Sequence, residues 1–193
     1  MEKTSYFNQL KTEMTRKQQR GLHFILASIL IWILVACVHA TDLDPLTKNL
    51  LTFCCTAPLV PIAWVISRFI GVEFSDKESP FSSLGIILSC NQMLYLLIAM
   101  WIYGAIPDKM VMVIAMIFGA HLLPFGWLYD SKGYYAMSCI VSVGALIVGL
   151  LFTPFTLACV MIGVEVVFSL ILWRENKKAA TKQVCPTISS TPV

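Results

Sequence analysis

The sequence predicts an all-α polytopic membrane protein, a bundle of six transmembrane helices. Of its 193 residues 58% are hydrophobic, and the 13% that are charged amount to about half of the share usual in soluble domains. The charged residues also stand far apart, and about 20 apolar residues in a helix are enough to cross the hydrocarbon core of a bilayer. These two observations exclude a water-soluble globular domain.

The first three spans lie in gaps between charged residues. Residues 21–41 contain no Asp, Glu, Lys or Arg, and the same holds for residues 49–67 and 79–107. Each gap is long enough for one span. Helices fit better than a barrel, because no ten-residue alternation of polar and apolar positions is visible. The sequence therefore predicts helices at about 21–40, 49–67 and 81–105.

The last three spans occupy the second half of the chain. Residues 110–129 are uncharged, and residues 133–173 contain a single charge, Glu165, over a length that suits two spans. The break between these two is placed just before Pro154, because proline is tolerated in the first turn of a helix, where its missing N–H would have no partner. The sequence therefore predicts helices at about 110–128, 134–151 and 155–173.

The distribution of Lys and Arg predicts that both termini lie in the cytoplasm. One side of the membrane receives twelve of the 14 basic residues, and the other side receives only Lys48 and Lys109. Basic loops stay preferentially on the cytoplasmic side. We therefore expect a multi-pass protein of the inner (plasma) membrane. The twelve cytoplasmic residues are Lys3, Lys11, Arg16, Lys17, Arg20, Arg68, Lys77, Lys132, Arg174, Lys177, Lys178 and Lys182.

Two polar arms flank the predicted bundle. Residues 1–20 form a basic cytoplasmic arm whose apolar residues are spaced for a short interfacial helix, with a loosely ordered arm as the alternative. Residues 174–193 form a basic tail that we expect to be disordered after Lys178. The first span also resembles a cleaved signal segment, but its polar leader and the five further spans favour a retained helix.

Four polar residues inside the spans are candidates for binding a ligand or a proton. Glu165 is the only formally charged side chain within a span, and an acid at membrane depth costs about 3 kcal/mol. His121, Asn91 and Gln92 lie at a similar depth, so the four would share one layer. In a functional interpretation Glu165 and His121 form a protonatable pair. In a structural interpretation these side chains form hydrogen bonds with the backbone or with each other and only stabilise the packing of the helices.

Three prolines are candidates for helix bends. Pro58 and Pro61 lie in the second span, and Pro124 follows His121 in the fourth. Each proline removes one N–H from the helix and frees a carbonyl about one turn back. Such carbonyls face a cavity in many transporters, and bends that serve packing alone are the alternative. In the same span as Pro124, residues 115 and 119 have the small-xxx-small spacing that permits close helix approach.

The cysteine pattern predicts packing rather than metal or disulfide chemistry. Six of the seven cysteines fall inside spans, Cys185 lies in the tail, and no CxxC occurs. We expect no metal site, no cofactor and no catalytic residue. His23 and His39 lie near the two ends of the first helix, where an interfacial polar tip is expected. Six aromatic residues are expected to anchor the membrane interfaces, namely Trp101, Tyr103, Trp127, Tyr129, Tyr134 and Trp173.

One segment of the fourth span carries a family resemblance. Residues 119–129, with the sequence GAHLLPFGWLY, resemble a recurrent segment in a family of small, uncharacterised bacterial multi-pass membrane proteins of unknown function. The likeness extends to Asn91, Gln92 and Met93 and to the region of Trp32. This resemblance implies a location in a bacterial inner membrane and directs attention to His121, but it implies no substrate.

These observations lead to one functional expectation and two alternatives. The protein is expected to bind or move a small solute or a proton through a polar layer built from Asn91, His121 and Glu165. The first alternative is a non-catalytic membrane scaffold or sensor subunit whose basic arms contact a cytoplasmic partner. A lipid-modifying membrane enzyme is the second. Membrane lipid is an expected partner in each case, and nucleic acid is not.

Overall fold

The computed structural model describes residues 2–74 and 80–184, and their regular structure is helical throughout. Runs of apolar residues with few helix breakers account for this. The helices are α1 (Glu2–Lys17), α2 (Leu22–His39), α3 (Pro45–Thr56), α4 (Leu59–Phe69), α5 (Pro80–Ala105), α6 (Met110–Leu128), α7 (Lys132–Leu151) and α8 (Pro154–Val184).

Six helical segments are long and apolar enough to cross a membrane, which is the number that the sequence predicts. Of the last two, α7 ends at Leu151 and α8 begins at Pro154. The six segments are Gln19–His39, Pro45–Phe69, Pro80–Ala105, Pro107–Leu128, Lys132–Leu151 and Pro154–Thr181.

The second membrane-length segment consists of two helices, α3 and α4, rather than one. The interruption falls at Ala57 and Pro58, and Pro61 lies in the first turn of α4. Neither proline has an N–H to donate, so both are tolerated where a helix starts and disfavoured where it continues. By contrast, α6 runs through Pro124 without a break. The prolines of the second segment therefore divide it, and Pro124 does not divide α6.

Asp44 caps the N-terminus of α3. Its Oδ2 accepts a hydrogen bond of 2.9 Å from the backbone N of Thr47, and its Oδ1 accepts one of 2.7 Å from the Thr47 hydroxyl. These bonds hold the pKa of Asp44 below its ordinary value, because they stabilise the charged carboxylate. A lowered pKa means that the cap stabilises the fold at neutral pH and that this contribution is lost as the pH falls through that pKa.

Both polar arms contain helix. The N-terminal arm forms α1, as one of the two alternatives predicts, with Tyr6 and Phe7 exposed. At the other terminus, α8 continues to Val184, although disorder is predicted after Lys178. Ala179, Ala180, Lys182 and Gln183 are good helix formers, and no proline occurs between Pro154 and residue 186. Residues 185–193 lie outside the described part of the chain.

The core lies between α2, α6, α7 and α8. Over an apolar stretch of 18 residues, 56% of the first segment is buried inside the bundle and only 6% of α5 is, so α2 is central and α5 is peripheral. The helix α2 packs against α8, α4 and α3, while α5 packs against α6 and touches α1. The buried side chains that fill this core include Trp32, Val35, Val111, Met161, Phe168 and Leu172.

Small residues bring α6 and α7 into close contact. Ala115 is fully buried, and a Cβ added to Gly119 would lie 2.7 Å from the backbone N of Ser142. An added Cβ at Gly126 would meet the ring of Tyr135 at 2.8 Å. The close approach predicted from the small-xxx-small spacing is therefore confirmed, and glycine is required because no larger residue fits.

The two ends of the bundle have different chemistry. One end, which we call the basic end, carries Arg20, Ser131 and Glu175 near the start of α2, the α6–α7 turn and the late part of α8. At the opposite end Lys109 Nζ donates to the carbonyl of Gly149 over 2.8 Å, which caps the end of α7. The helices α6, α7 and α8 thus run in alternating directions between the two ends.

Gly119→Ala is expected to lower the free energy of unfolding by about 1–3 kcal/mol, because the added methyl group would press on the backbone of α7. The matched control is Gly144→Ala in α7, where an added Cβ meets nothing within 4 Å. Alanine favours a helix over glycine by about 0.5–1 kcal/mol, so this control should be at least as stable as the wild type. Unfolding of the purified full-length chain in detergent measures both. Equal stability of the two variants would contradict the close α6–α7 contact.

Candidate functional site

A cavity of about 220 Å³ lies inside the bundle beside His121. Its walls come from α2, α4, α5, α6 and the beginning of α7. Most of its lining is apolar or aromatic, and Ser89, Gln92 and His121 add polar groups. A mostly apolar cavity with a few polar groups is the usual form of a small-molecule site. We call it the His121 cavity.

The local structure of α6 positions His121 at this cavity. Pro124 cannot donate a hydrogen bond to the carbonyl one turn back, that of Ala120, so this part of α6 has one bond fewer than a regular helix. The His121 ring packs edge-on against Phe125, with ring centroids 4.9 Å apart. The aromatic contact with Phe125 therefore holds the His121 side chain in place at the wall of the cavity.

The helix α5 supplies the polar residues on the other side. Gln92 is partly buried and lines the same cavity as His121. Ser89, one turn earlier, donates its hydroxyl to the carbonyl of Gly85 over 2.9 Å. Cys90 is a free thiol and also lies in the lining. Imidazole, amide and hydroxyl groups can each donate or accept a hydrogen bond, so these residues offer a ligand both kinds of partner.

A cluster of aromatic rings closes the cavity towards the basic end. Phe125 stacks on Tyr129 with centroids 5.8 Å apart, and Tyr129 lies 5.6 Å from Tyr134. The hydroxyl of Tyr129 donates to Gln18 Oε1 over 3.1 Å, and the hydroxyl of Tyr134 donates to the carbonyl of Arg20 over 2.8 Å. Burial raises the pKa of Tyr129 well above 10, so its phenol remains a hydrogen-bond donor at physiological pH.

The turn between α1 and α2 forms the roof of this aromatic cluster. Gln19, Arg20 and Gly21 all have left-handed backbone angles, with φ of 45°, 53° and 69°. A Cβ on Gly21 would lie 3.1 Å from Tyr129 Cε2 and 3.2 Å from the Tyr134 hydroxyl. The positive φ and the lack of space both require glycine here, while the left-handed residues before it are strained.

Polar contacts at the basic end hold this strained turn in place. Arg20 Nη1 donates to Asn176 Oδ1 over 2.7 Å, and Arg20 Nε lies 3.5 Å from Glu175 Oε2. Glu175 in turn accepts hydrogen bonds from the Ser131 hydroxyl at 2.6 Å and from the backbone N of Gly133 at 3.1 Å. The late part of α8 is thereby joined to the α1–α2 turn and to the start of α7.

Glu165 is fully buried at the interface of α8 with α2. The Ser28 hydroxyl lies 2.7 Å from Glu165 Oε2 and 2.8 Å from the carbonyl of Ile25. A hydroxyl has one hydrogen, so both contacts are satisfied together when the Glu165 carboxyl is protonated and donates to Ser28. Its other oxygen, Oε1, has no hydrogen-bond partner among the described residues. A neutral carboxyl at this position avoids burying an unpaired charge.

The structure divides the predicted polar layer between two places. His121 and Gln92 line the same cavity, whereas Asn91 is exposed and donates to the hydroxyl of Tyr95 over 3.0 Å. Glu165 contacts Ser28 and does not belong to the cavity lining. Ring contacts lead from His121 through Phe125 and Tyr134 to Phe168, one turn after Glu165. Aromatic side chains thus stand between the imidazole and the carboxyl.

Several residues of this region have roles that the sequence does not predict. Tyr129 and Tyr134 are only 4% and 3% exposed, so they form the cavity wall and are not interface anchors. His23 is not an interfacial polar tip either, because it is fully buried beside the rings of Phe24 and Phe74. Ser28 gives no signal in the sequence beyond being a polar residue within a span. Each of these roles depends on contacts between distant segments.

The described residues contain no group of three or more His, Cys, Asp or Glu side chains that could hold a metal ion. By its lining, the His121 cavity can accept an apolar body by contact and orient one polar group by hydrogen bonding.

Fold and site together define an all-helical bundle with six helical segments of membrane length around an internal, mostly apolar cavity. The chain belongs to a family of unknown function, DUF7010, whose model matches residues 7–175. No curated protein and no solved structure matches the chain. The membership agrees with a resemblance to an uncharacterised family, and the bacterial and membrane-bound character of that family stays a prediction.

Ser28→Ala is expected to destabilise the fold by about 1 kcal/mol, because it removes the one hydrogen-bonding side chain that the structure places on Glu165. In a Glu165→Leu background the same substitution should cost much less, since no carboxyl remains to be satisfied. A double-mutant cycle of unfolding free energies in detergent measures the difference. Additive effects of the two substitutions would show that the Ser28–Glu165 contact contributes nothing to stability.

Proposed function

We propose that the protein is a multi-pass membrane protein that binds a small, largely apolar solute with one polar group in the His121 cavity. The observation that carries this proposal is the convergence of His121 and Gln92, from two different helices, on one apolar cavity. Glu165 has no part in binding in this proposal, because its carboxyl contacts Ser28 at a helix interface.

The volume of the cavity supports a ligand of modest size. A cavity of about 150 Å³ is large enough to hold benzene, so about 220 Å³ suits a substituted single ring or a comparable aliphatic molecule. Leu59, Phe118 and Leu122 would contact the apolar part. The imidazole of His121 and the amide of Gln92 would contact the polar part. An analogue without the polar group would leave those partners unmatched and bind less tightly.

The position of the opening supports entry from the lipid. Val60 on α4 and Ser89 and Cys90 on α5 line the cavity and are also exposed on the outside of the bundle. The cavity therefore reaches the surface between α4 and α5, within the band of apolar residues that would face hydrocarbon. A solute that partitions into the bilayer would reach this opening without crossing the polar ends.

Insertion into a membrane is supported by length, composition and charge. Six helical segments are long and apolar enough to span a bilayer, and their outward surfaces carry many large hydrophobic residues. Most Lys and Arg residues lie on the side of the basic end, which favours a cytoplasmic location for that end. We therefore propose that both termini face the cytoplasm across an inner (plasma) membrane.

Binding is tested with two probes that share a ring and differ in one hydroxyl, benzyl alcohol and toluene. We expect benzyl alcohol to raise the apparent Tm of the purified wild-type protein, because a ligand that binds the folded state stabilises it. His121→Phe keeps an aromatic ring next to Phe125 but removes the hydrogen-bonding nitrogens. It should weaken benzyl alcohol binding about fivefold, which corresponds to about 1 kcal/mol, and leave toluene binding nearly unchanged.

A second pair of variants controls for effects outside the cavity. Leu59→Trp would fill the cavity and should abolish the response to both probes. Leu123→Trp adds the same side chain to the outer face of α6, where Leu123 is 49% exposed, and should respond like the wild type. If Leu59→Trp and Leu123→Trp respond equally, the probes do not bind in the His121 cavity. A scaffold or sensor role would then explain the chain better.

The orientation is tested by labelling single cysteines in intact cells. In a variant without its native cysteines, Asp42→Cys should react with a membrane-impermeant maleimide and Tyr6→Cys should not, because these positions lie at opposite ends of the bundle. Both should react after the cells are permeabilised. Labelling of Tyr6→Cys in intact cells would reverse the proposed topology.

A further inference from the structure

We propose that a second pocket, at the basic end, binds a phosphate-bearing anion at the boundary of the membrane. This α1–α8 pocket has a volume of about 330 Å³ and lies between α1, the left-handed turn and the late part of α8. It is separate from the His121 cavity, with which it shares no lining residue. The inference therefore does not rest on the proposed solute site.

Three cationic side chains line the α1–α8 pocket, namely Arg16, Arg20 and Lys177. Arg20 is held by Asn176 and lies 3.5 Å from Glu175. In the part of the chain that the structure describes, neither Arg16 nor Lys177 has a carboxylate within ion-pair distance. The pocket therefore has two uncompensated positive charges, and such a pocket attracts an anionic group.

A buried hydroxyl provides the second observation that points to a ligand. Thr15 lines the pocket and is only 6% exposed, yet its Oγ1 has no hydrogen-bond partner among the described residues. An unsatisfied buried hydroxyl costs about 1–3 kcal/mol, so such groups usually have a partner. Thr12, one turn earlier, already donates its hydroxyl to the carbonyl of Asn8. A phosphate oxygen in the pocket would supply the missing partner once the Thr15 side chain turns towards it, because Oγ1 itself has almost no exposed surface.

The surroundings of the pocket suit an anion that sits at a bilayer surface. Trp173 lines the pocket, is 52% exposed and lies at the end of the apolar part of α8. Lys177 Nζ lies 5.3 Å from the centroid of the Trp173 ring. Tryptophan next to basic residues is typical of the headgroup region. The chemistry recognised here, an anionic phosphate group, is shared by acidic phospholipid headgroups and by soluble phosphate monoesters.

The test compares three probes on the purified full-length chain in neutral detergent. They are phosphatidylglycerol, phosphatidylcholine with the same short acyl chains, and glycerol 3-phosphate. Apparent Tm is measured against probe concentration, from which an affinity follows. Phosphatidylglycerol should raise the Tm of the wild type more than phosphatidylcholine does. The double variant Arg16→Gln/Lys177→Gln should bind it roughly 25-fold more weakly, since each cation contributes about a factor of five.

A matched variant separates the pocket from general charge. Lys132→Gln/Lys178→Gln removes the same charge from the same end of the bundle, at two exposed residues outside the pocket lining, and should bind as the wild type does. Thr15→Val keeps the shape of the side chain and removes the hydroxyl. It should weaken binding by about fivefold without lowering the Tm of the unliganded protein, because no intramolecular bond is lost.

The outcomes distinguish the two sources of the anion. A response to phosphatidylglycerol that exceeds the response to glycerol 3-phosphate identifies a lipid headgroup, and equal responses identify a soluble phosphate ester. Both support the site, provided that the Arg16/Lys177 variant loses the response and the Lys132/Lys178 variant keeps it. Equal loss in the two double variants, or no response of the wild type to any phosphate probe, would overturn the proposal.

Discussion

The left-handed turn at residues 19–21 is the constraint on which the arrangement of the other helices at the basic end depends. Three consecutive residues with positive φ are unfavourable for an L-amino-acid chain, and only Gly21 adopts this conformation without strain. The turn persists because the Tyr134 hydroxyl binds the carbonyl of Arg20 and because Asn176 binds both the side chain of Arg20 and the carbonyl of Gln19. Distant segments of the chain thus fix where α2 begins.

The position of α2 then determines both the core and the cavity. One face of α2 packs on α8, where Ser28 meets Glu165, and other parts pack on α3 and α4. Gly21 and Ile25 contribute to the wall of the His121 cavity. On the far side of the cavity, small residues such as Gly119 hold α6 close to α7. The cavity therefore lies between a rigid pair of helices and the less buried helices α4 and α5, where its opening is found.

The two proposed sites follow from different physical properties. The His121 cavity is mostly apolar, and its selectivity would come from a few hydrogen-bonding groups within it. The α1–α8 pocket is defined by positive charge at the end of the bundle and by the buried hydroxyl of Thr15. The strained turn lies between them, since Gly21 lines the first site and Arg20 lines the second. Each site is accordingly sensitive to the geometry of that turn.

The sequence by itself determined the all-helical class of the fold and the number of helical segments of membrane length. Long uncharged segments can satisfy their backbone only as helices in an apolar environment, and charges and prolines mark where such helices end. It also indicated that Glu165 and His121 lie at depth. Only the tertiary structure decided which groups meet: His121 with Gln92 at a cavity, Glu165 with Ser28, and two tyrosines against Gly21. The rotation of each apolar helix about its axis is set by side-chain packing between distant segments, and hydrophobic periodicity is too weak in these helices to reveal it.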